Sequence, residues 1–259
     1  MENTVQQRVM ITAAASGIGQ AIAEAFHAKG ARVHICDASE EALKAFRATH
    51  PDIAATRVNV RLESEIDTWF DEALDDLGGL DVLVNNAGIK GPTAPVDDIE
   101  LADWRECIEV CLDAQFLCAR RAAPVMKAQK SGLIINMSSN AGQYGFGNRT
   151  PYAAAKWGVI GLTKSLAIEL GPFNVRCNAI CPGAVKGPRI DRVIAGEAEL
   201  RGVGTQVVAA ELVSQQSLAR FTEAAEVANL AVFLASPEAF MINGQDIAID
   251  GHIETFHIK

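Results

Sequence analysis

Positive charge is scarce in this sequence: 23 lysines and arginines stand against 32 acidic residues, a net charge of -9 at pH 7. Nucleic acid and anionic membranes both select a basic footprint, so neither is expected as the main partner. An acidic small molecule stays open, because local charge can oppose the global sign. No run approaches the roughly 18 uninterrupted apolar residues of a spanning helix, and the first eight residues lack the apolar stretch of a secretory signal. The six cysteines, Cys36, Cys107, Cys111, Cys118, Cys177 and Cys181, include no CxxC pair and no Cys/His cluster. Free thiols in a reducing cytosol are the simplest account, with no metal site. Cys107, Cys111 and Cys118 fall on one stripe of an expected helix and read as a packed face. Linkers, repeats and low-complexity segments are also missing. These absences leave a cytoplasmic globular protein acting on a small molecule.

What is present is a regular alternation. The 259 residues, 49% of them apolar, suffice for one large core, expected as a single domain over 1–259. Short β-branched runs at 8–12, 31–36, 54–60, 80–85, 133–138, 174–180 and 246–249 read as strands. Longer segments with helical period lie between them at 17–29, 39–50, 63–77, 101–127, 152–170 and 224–235. Gly30, Gly78-Gly79 and Gly171-Pro172 stop three of these helices. Strand and helix repeated in this way predict an α/β fold: a doubly wound parallel sheet of about seven strands with helices on both faces. One stretch breaks the rhythm. Loop and short helix are expected from 182 to about 218, where a substrate lid at 184–218 would stand outside the carboxyl ends of the strands.

Two clusters carry chemistry. Ser16-Gly17-Ile18-Gly19 joins the first strand to the first helix, where glycines and free N–H groups at a helix start accept a pyrophosphate. Asp37, at the end of the second strand, is placed to accept hydrogen bonds from adenosine ribose hydroxyls. Its carboxylate repels a 2′-phosphate, and neighbouring Ser16 and Ala38 bring no cation, so NAD is expected over NADP. The second cluster is Tyr152 and Lys156, four apart on a helix and therefore on one face. An ammonium there favours the phenolate and lowers the phenol pKa, making Tyr152 a proton donor and acceptor near neutral pH. Ser139, tipping the fifth strand, can hydrogen-bond the reacting oxygen. Lys90, Lys186, Arg189 and Arg192 lie in loops expected at the pocket mouth, either as solvated lid charges or for a polar or anionic hydroxy compound.

Taken in order, Ser16-Gly17-Ile18-Gly19, Asp37, Asn85-Asn86-Ala87-Gly88, Ile135-Asn136-Met137-Ser138-Ser139, Tyr152 with Lys156, Asn178-Ala179-Ile180-Cys181-Pro182-Gly183 and Ile249-Asp250-Gly251 resemble the motifs of the classical short-chain dehydrogenase/reductase family over nearly the whole chain. The resemblance implies a Rossmann-like NAD(P)-binding domain and an alcohol dehydrogenase or carbonyl reductase with Ser139, Tyr152 and Lys156 as catalytic residues. It places Ser16, Gly17, Ile18, Gly19, Asp37, Asn59, Val60, Asn86, Ala87, Gly88, Tyr152, Lys156, Pro182, Gly183 and Val185 at the cofactor. Lys156 would hold the nicotinamide ribose, and the backbone of Asn86, Ala87 and Gly88 would line the adenosine side. Pro182, Gly183 and the amide of Val185 would flank the nicotinamide. A homotetramer is implied, with the helices at 101–127 and 152–170 as one interface and the tail at 251–259 packing across another.

Four positions depart from the family pattern. Ala13 stands where its turn has a first glycine. Asn59 replaces an aspartate at the adenine, a mild change. Cys111 replaces an asparagine that supports a water chain from the lysine, and Gly187 replaces a cofactor-binding threonine. They open an alternative, a catalytically impaired dinucleotide-binding sensor or scaffold. A sugar-nucleotide epimerase or dehydratase would share Tyr-x-x-x-Lys but carry a larger C-terminal substrate domain.

Overall fold

The structure, a computed structural model, describes residues 6–253. The tail expected to pack across an interface therefore lies outside the described residues from 254 onward, His257 included. Seven strands form one parallel sheet: β1 (Arg8–Thr12), β2 (Arg32–Asp37), β3 (Ala54–Arg57), β4 (Val82–Asn85), β5 (Gly132–Met137), β6 (Val175–Pro182) and β7 (Asp246–Ile249), in the order β3-β2-β1-β4-β5-β6-β7. Strands buried on both faces need apolar residues in succession rather than in alternation, and β1 has them. Val9 and Ile11 face one side, Met10 the other, and all three are wholly buried.

Nine helices cover the sheet and its edge: α1 (Gly17–Ala28), α2 (Glu40–Thr49), α3 (Glu63–Leu77), α4 (Leu101–Ile108), α5 (Ala114–Gln129), α6 (Thr150–Leu170), α7 (Pro188–Arg201), α8 (Thr205–Ser214) and α9 (Ala224–Leu234), counted among the described residues. Ile22, Ala23 and Phe26 of α1 meet Val227, Ala231 and Leu234 of α9 over one face, with Leu43 and Phe46 of α2 beside them. Trp69 and Phe70 of α3, Ala119 and Met126 of α5 and Leu170 of α6 cover the other. The order reverses at β1, which pairs with β2 on one side and β4 on the other. At such a switch point the loops leaving adjacent strands diverge and open a crevice at the carboxyl ends.

The expected strands all form, but the third stops at Arg57 rather than 60. The segment expected as one helix over 101–127 is three pieces: α4, a π-helical turn at Glu109–Asp113, and α5. Between β6 and α9, where loop and one short helix were expected, the chain builds α7 and α8. Their mutual packing through Ile194, Ala198 and Val208 supplies the burial that makes them stable. This pair is tied to the body at its base, where Thr222 N–H donates to the Ala184 carbonyl and Lys186 N–H to the Thr222 carbonyl, both at 2.9 Å.

Candidate active site

Leaving β1, the chain turns sharply at Ala13, whose φ of 50° lies in the left-handed region. The glycine missing from the family pattern is thus missing where positive φ is needed, and the alanine is held there at a cost of about 1 kcal/mol. Gly17 also takes positive φ, 59°. Gly19 has another constraint: a Cβ there would lie 2.5 Å from the Ala13 carbonyl and 2.6 Å from the Asn86 amide nitrogen. That amide nitrogen donates to the carbonyls of Thr12 (3.1 Å) and Ala13 (2.8 Å). The Thr12 hydroxyl in turn accepts the N–H groups of Asn86 and Ala87. These bonds lock the turn to the loop after β4. Ser16, at the start of α1, makes no side-chain cap, so the first N–H groups of α1 stay open to an anion.

Asp37 ends β2 on the wall of the same cleft. Its carboxylate accepts the N–H groups of Ala15 (3.2 Å) and Ser39 (3.0 Å), which fix it beside the turn. A cation that the local sequence did not show is in register with it on β3: Arg57, whose guanidinium turns to Glu65 at 3.7 Å. An uncapped helix start, a glycine cradle and a fixed carboxylate at the neighbouring strand end fit the pyrophosphate and adenosine ribose of a dinucleotide.

At the other end of the cleft, β5 delivers Ser139 and α6 delivers Tyr152 and Lys156. Pro151 in the first turn of α6, with its fixed φ, starts that helix. All three side chains are buried. Lys156 Nζ lies 5.6 Å from the Tyr152 ring centre and donates to the Met137 carbonyl at 2.7 Å. Ser139 Oγ accepts from Ala141 N–H and donates to Asn140 Oδ1. Burial alone would push the Tyr152 phenol up; the charges of Arg189, Lys156 and Arg149 outweigh it and hold the phenol below its ordinary value. The expected lysine effect is therefore present, but shared with two arginines.

Arg149 carries no functional role in the sequence reading above. It stands at the N-cap position of α6 without a side-chain capping bond, where the helix dipole disfavours a cation; with the helix expected only from 152, the sequence did not reveal this. Its Cζ lies 4.4 Å from the Tyr152 ring centre, and that of Arg189, from α7, lies 5.7 Å away.

Cys111 stands in the π-helical turn. Its Sγ accepts Ile89 N–H at 3.4 Å and faces the Ile89 carbonyl at 3.6 Å. The thiol makes the two backbone contacts that hold the loop after β4 against this helix. Contact with the Cys107 thiol pulls Cys111 down against burial, and Lys156 adds to the pull; the same contact pushes Cys107 up. Gly187 has φ 141° and ψ 179°, a region essentially confined to glycine. The family's threonine would be strained at this position.

A cleft of about 480 Å³ runs from Asp37 to Arg149. Ser16, Gly17, Ile18, Asp37, Asn86, Gly88, Ser139, Tyr152, Lys156, Pro182, Gly183 and Val185 line it, so most residues singled out in the sequence meet on one wall. Gly19 and Ala87 are buried behind it. Asn59 and Val60 are off the lining; the Asn59 side chain accepts Arg61 N–H. Lys186, Arg189 and Arg192 border the cleft, whereas Lys90 does not. Among the described residues no group of three His, Cys, Asp or Glu side chains could hold a metal, and no helix is long and apolar enough to cross a membrane.

A family model described as enoyl-(acyl carrier protein) reductase matches residues 12–252. Trans-4-hydroxycyclohexanecarboxylate dehydrogenase of Sinomonas cyclohexanicum is 38% identical, over 96% of this chain and 93% of its own. Dehydrogenase/reductase SDR family member 6 of Rattus norvegicus is 37% identical, over 94% and 95%. Among solved structures, an NAD+-bound xylitol dehydrogenase superposes with a TM-score of 0.90 at 27% identity, over 95% of this chain and 98% of that one. An actinorhodin polyketide ketoreductase with NADPH gives a TM-score of 0.90 at 29% identity, over 96% and 98%.

Proposed function

The chain belongs to the classical short-chain dehydrogenase/reductase family, and we propose that it is an NAD-dependent dehydrogenase of a secondary alcohol. The coarser activity, oxidoreduction at a hydroxyl or ketone carbon, comes with the family. The observation that carries the finer proposal is the phenol of Tyr152, buried at the cleft among three cations that favour its ionised form.

When bound, the nicotinamide supplies the hydride acceptor. The protein's own groups do the rest. Ser139 Oγ orients the alcohol oxygen, and the Tyr152 phenolate takes its proton. Lys156 keeps the phenolate favourable and reaches toward the nicotinamide ribose. Ser16, Gly17, Ile18 and Gly19 hold the pyrophosphate; Pro182, Gly183 and Val185 border the nicotinamide. Asn86, Ala87 and Gly88 form the wall between, and the adenine contacts proposed for Asn59 and Val60 would lie beyond the cleft lining.

NAD preference rests on Asp37, whose carboxylate would oppose a 2′-phosphate. The two solved relatives, one with NAD+ and one with NADPH, make this the point to measure. NAD binding tighter than NADP, with NADH formed from a panel of secondary alcohols, supports the assignment. Tighter NADP binding would refute the role of Asp37.

The hydroxy-acid dehydrogenase of Sinomonas among the relatives favours an anionic hydroxy compound, oxidised in the cytoplasm, where six free buried thiols are at home. A homotetramer is proposed too. Phe116 on α5 and Trp157 and Ile168 on α6 leave large apolar side chains exposed, which a subunit interface would cover. A single domain with the lid at 184–218 completes this picture.

The strained Ala13 keeps a second function in view, a dinucleotide-binding sensor. Retained NAD binding with no turnover of any alcohol or ketone would establish it in place of the dehydrogenase.

A further inference from the structure

Building on the dehydrogenase assignment, we infer that Arg149 and Arg189 form a clamp for a carboxylate on the substrate, so that the alcohol oxidised here is a hydroxy acid. Arg149 is 4% exposed, with its guanidinium between the rings of Phe146 (5.0 Å) and Tyr152 (4.4 Å). Its Nη2 donates to the Lys90 carbonyl, and its buried Nε has no partner. Arg189 Nη2 donates to the Ile89 carbonyl at 2.9 Å. The two guanidinia are thus pinned through Nη2 to adjacent carbonyls of one loop, beside the phenol, and both residues line the cleft with no hydrogen bond at Nη1 among the described residues.

Neither arginine is paired with an acidic side chain among the described residues. The one carboxylate on the cleft wall is Asp37, at the far end. Buried charges in proteins are normally paired, because an uncompensated one is costly. Here the cost is raised by the dipole at the start of α6 and by mutual repulsion of the arginines; burial first, then Arg189, holds Arg149 below its ordinary value. Internal counter-charges do not balance it. Even with Tyr152 as phenolate and Cys111 as thiolate, Arg149, Lys156 and Arg189 leave one positive charge over.

A ligand anion entering the cleft would supply the missing counter-charge. The cofactor's phosphates belong at the glycine turn at the other end of the cleft. The anion beside Tyr152 must then arrive with the reacting alcohol. A carboxylate is planar and offers two oxygens, one for each of the two guanidinia beside the same phenol.

The test pairs each hydroxy acid with its neutral amide: 4-hydroxycyclohexanecarboxylate with 4-hydroxycyclohexanecarboxamide, and 3-hydroxybutyrate with 3-hydroxybutyramide. The parent should favour at least one acid over its amide by about 30-fold in kcat/KM. Arg189→Gln and Arg149→Lys should each reduce that acid-to-amide ratio to about threefold or less. Calorimetric titration of the same compounds into the NADH-loaded protein should follow the ratio without needing turnover. Because both arginines also act on Tyr152, the ratio, not the absolute rate, isolates the carboxylate. Should Arg149→Lys fail to fold, Arg189→Gln, out on the lid, decides the matter alone.

A parent that binds and oxidises amide and acid equally overturns the clamp and leaves the dehydrogenase standing. A ratio that survives in Arg189→Gln also overturns it. Acid-selective binding that depends on Arg189, with no alcohol oxidised, would instead sink the dehydrogenase and keep the anion site.

Discussion

In the proposed mechanism Tyr152 is the residue on which the chemistry turns, and its surroundings would decide the pH at which it works. An acid whose pKa is depressed by neighbouring cations regains a higher value when a cation is removed. Alcohol oxidation needs the phenolate, so kcat/KM rises with pH as Tyr152 ionises. Arg189→Gln removes the foremost of the three lowering charges, and the rising limb should move to higher pH. A limb that stays in place or moves to lower pH contradicts this. The phenol–lysine pair was legible because helical spacing alone puts Tyr152 and Lys156 on one face. Arg189 was legible only as a charge near the pocket mouth, since its contact with the phenol depends on how α7 folds back over the cleft. Arg149 left no trace, because the helix was expected from 152 and begins at Thr150. Ala13 was visible as a departure, but only the backbone shows that the departure falls at positive φ.

Among the elements, the π-helical turn between α4 and α5 is where sequence periodicity failed. Apolar spacing continues through 101–127, so nothing in it marks the extra residue per turn that brings Cys111 against Ile89. Asparagine at 111 can donate to the Ile89 carbonyl and accept from its N–H as the thiol does. Cys111→Asn should leave kcat within about threefold of the parent or raise it, well under the 1.36 kcal/mol that a tenfold change represents. A severe loss would give the thiol a function of its own. The lid follows a different logic. The apolar cluster of its two helices is built from their own side chains and Phe221, and Gly187 stands where α7 begins. Gly187→Thr should cost about 1–3 kcal/mol through backbone strain, read as a lower Tm. An unchanged Tm would show that the backbone there adapts freely. Gly202 closes α7 in the left-handed region and Gly204 precedes α8, but two glycines so close together read equally well as loop, which is why this stretch appeared less ordered than it is.

On the scale of the molecule, the sheet was readable because both its faces are buried. Continuous apolar runs separated by amphipathic helices admit few arrangements other than a parallel doubly wound sheet. That arrangement gathers the glycine turn, Asp37, Ser139, Tyr152 and Lys156 at the carboxyl edge, and it concentrates arginine and lysine there in a chain of net charge -9. Binding at the edge ties β1, β2, β5, β6 and the lid together, so the whole fold should register the cofactor. At 100 times its dissociation constant a ligand stabilises the native state by about 2.7 kcal/mol. For a chain of this size that amounts to roughly 5–10 °C in Tm. NAD should produce that rise, and NADP at equal concentration a smaller one; equal or reversed shifts contradict the cofactor preference.

The central claim is that Tyr152 exchanges the proton of the reacting alcohol at this cleft, and replacing its hydroxyl measures this most directly. With NAD and the best alcohol of the panel, Tyr152→Phe should lower kcat by at least about 100-fold, the lower range for a lost general acid–base group. NAD affinity should stay close to that of the parent. Turnover by Tyr152→Phe as fast as the parent would contradict the account.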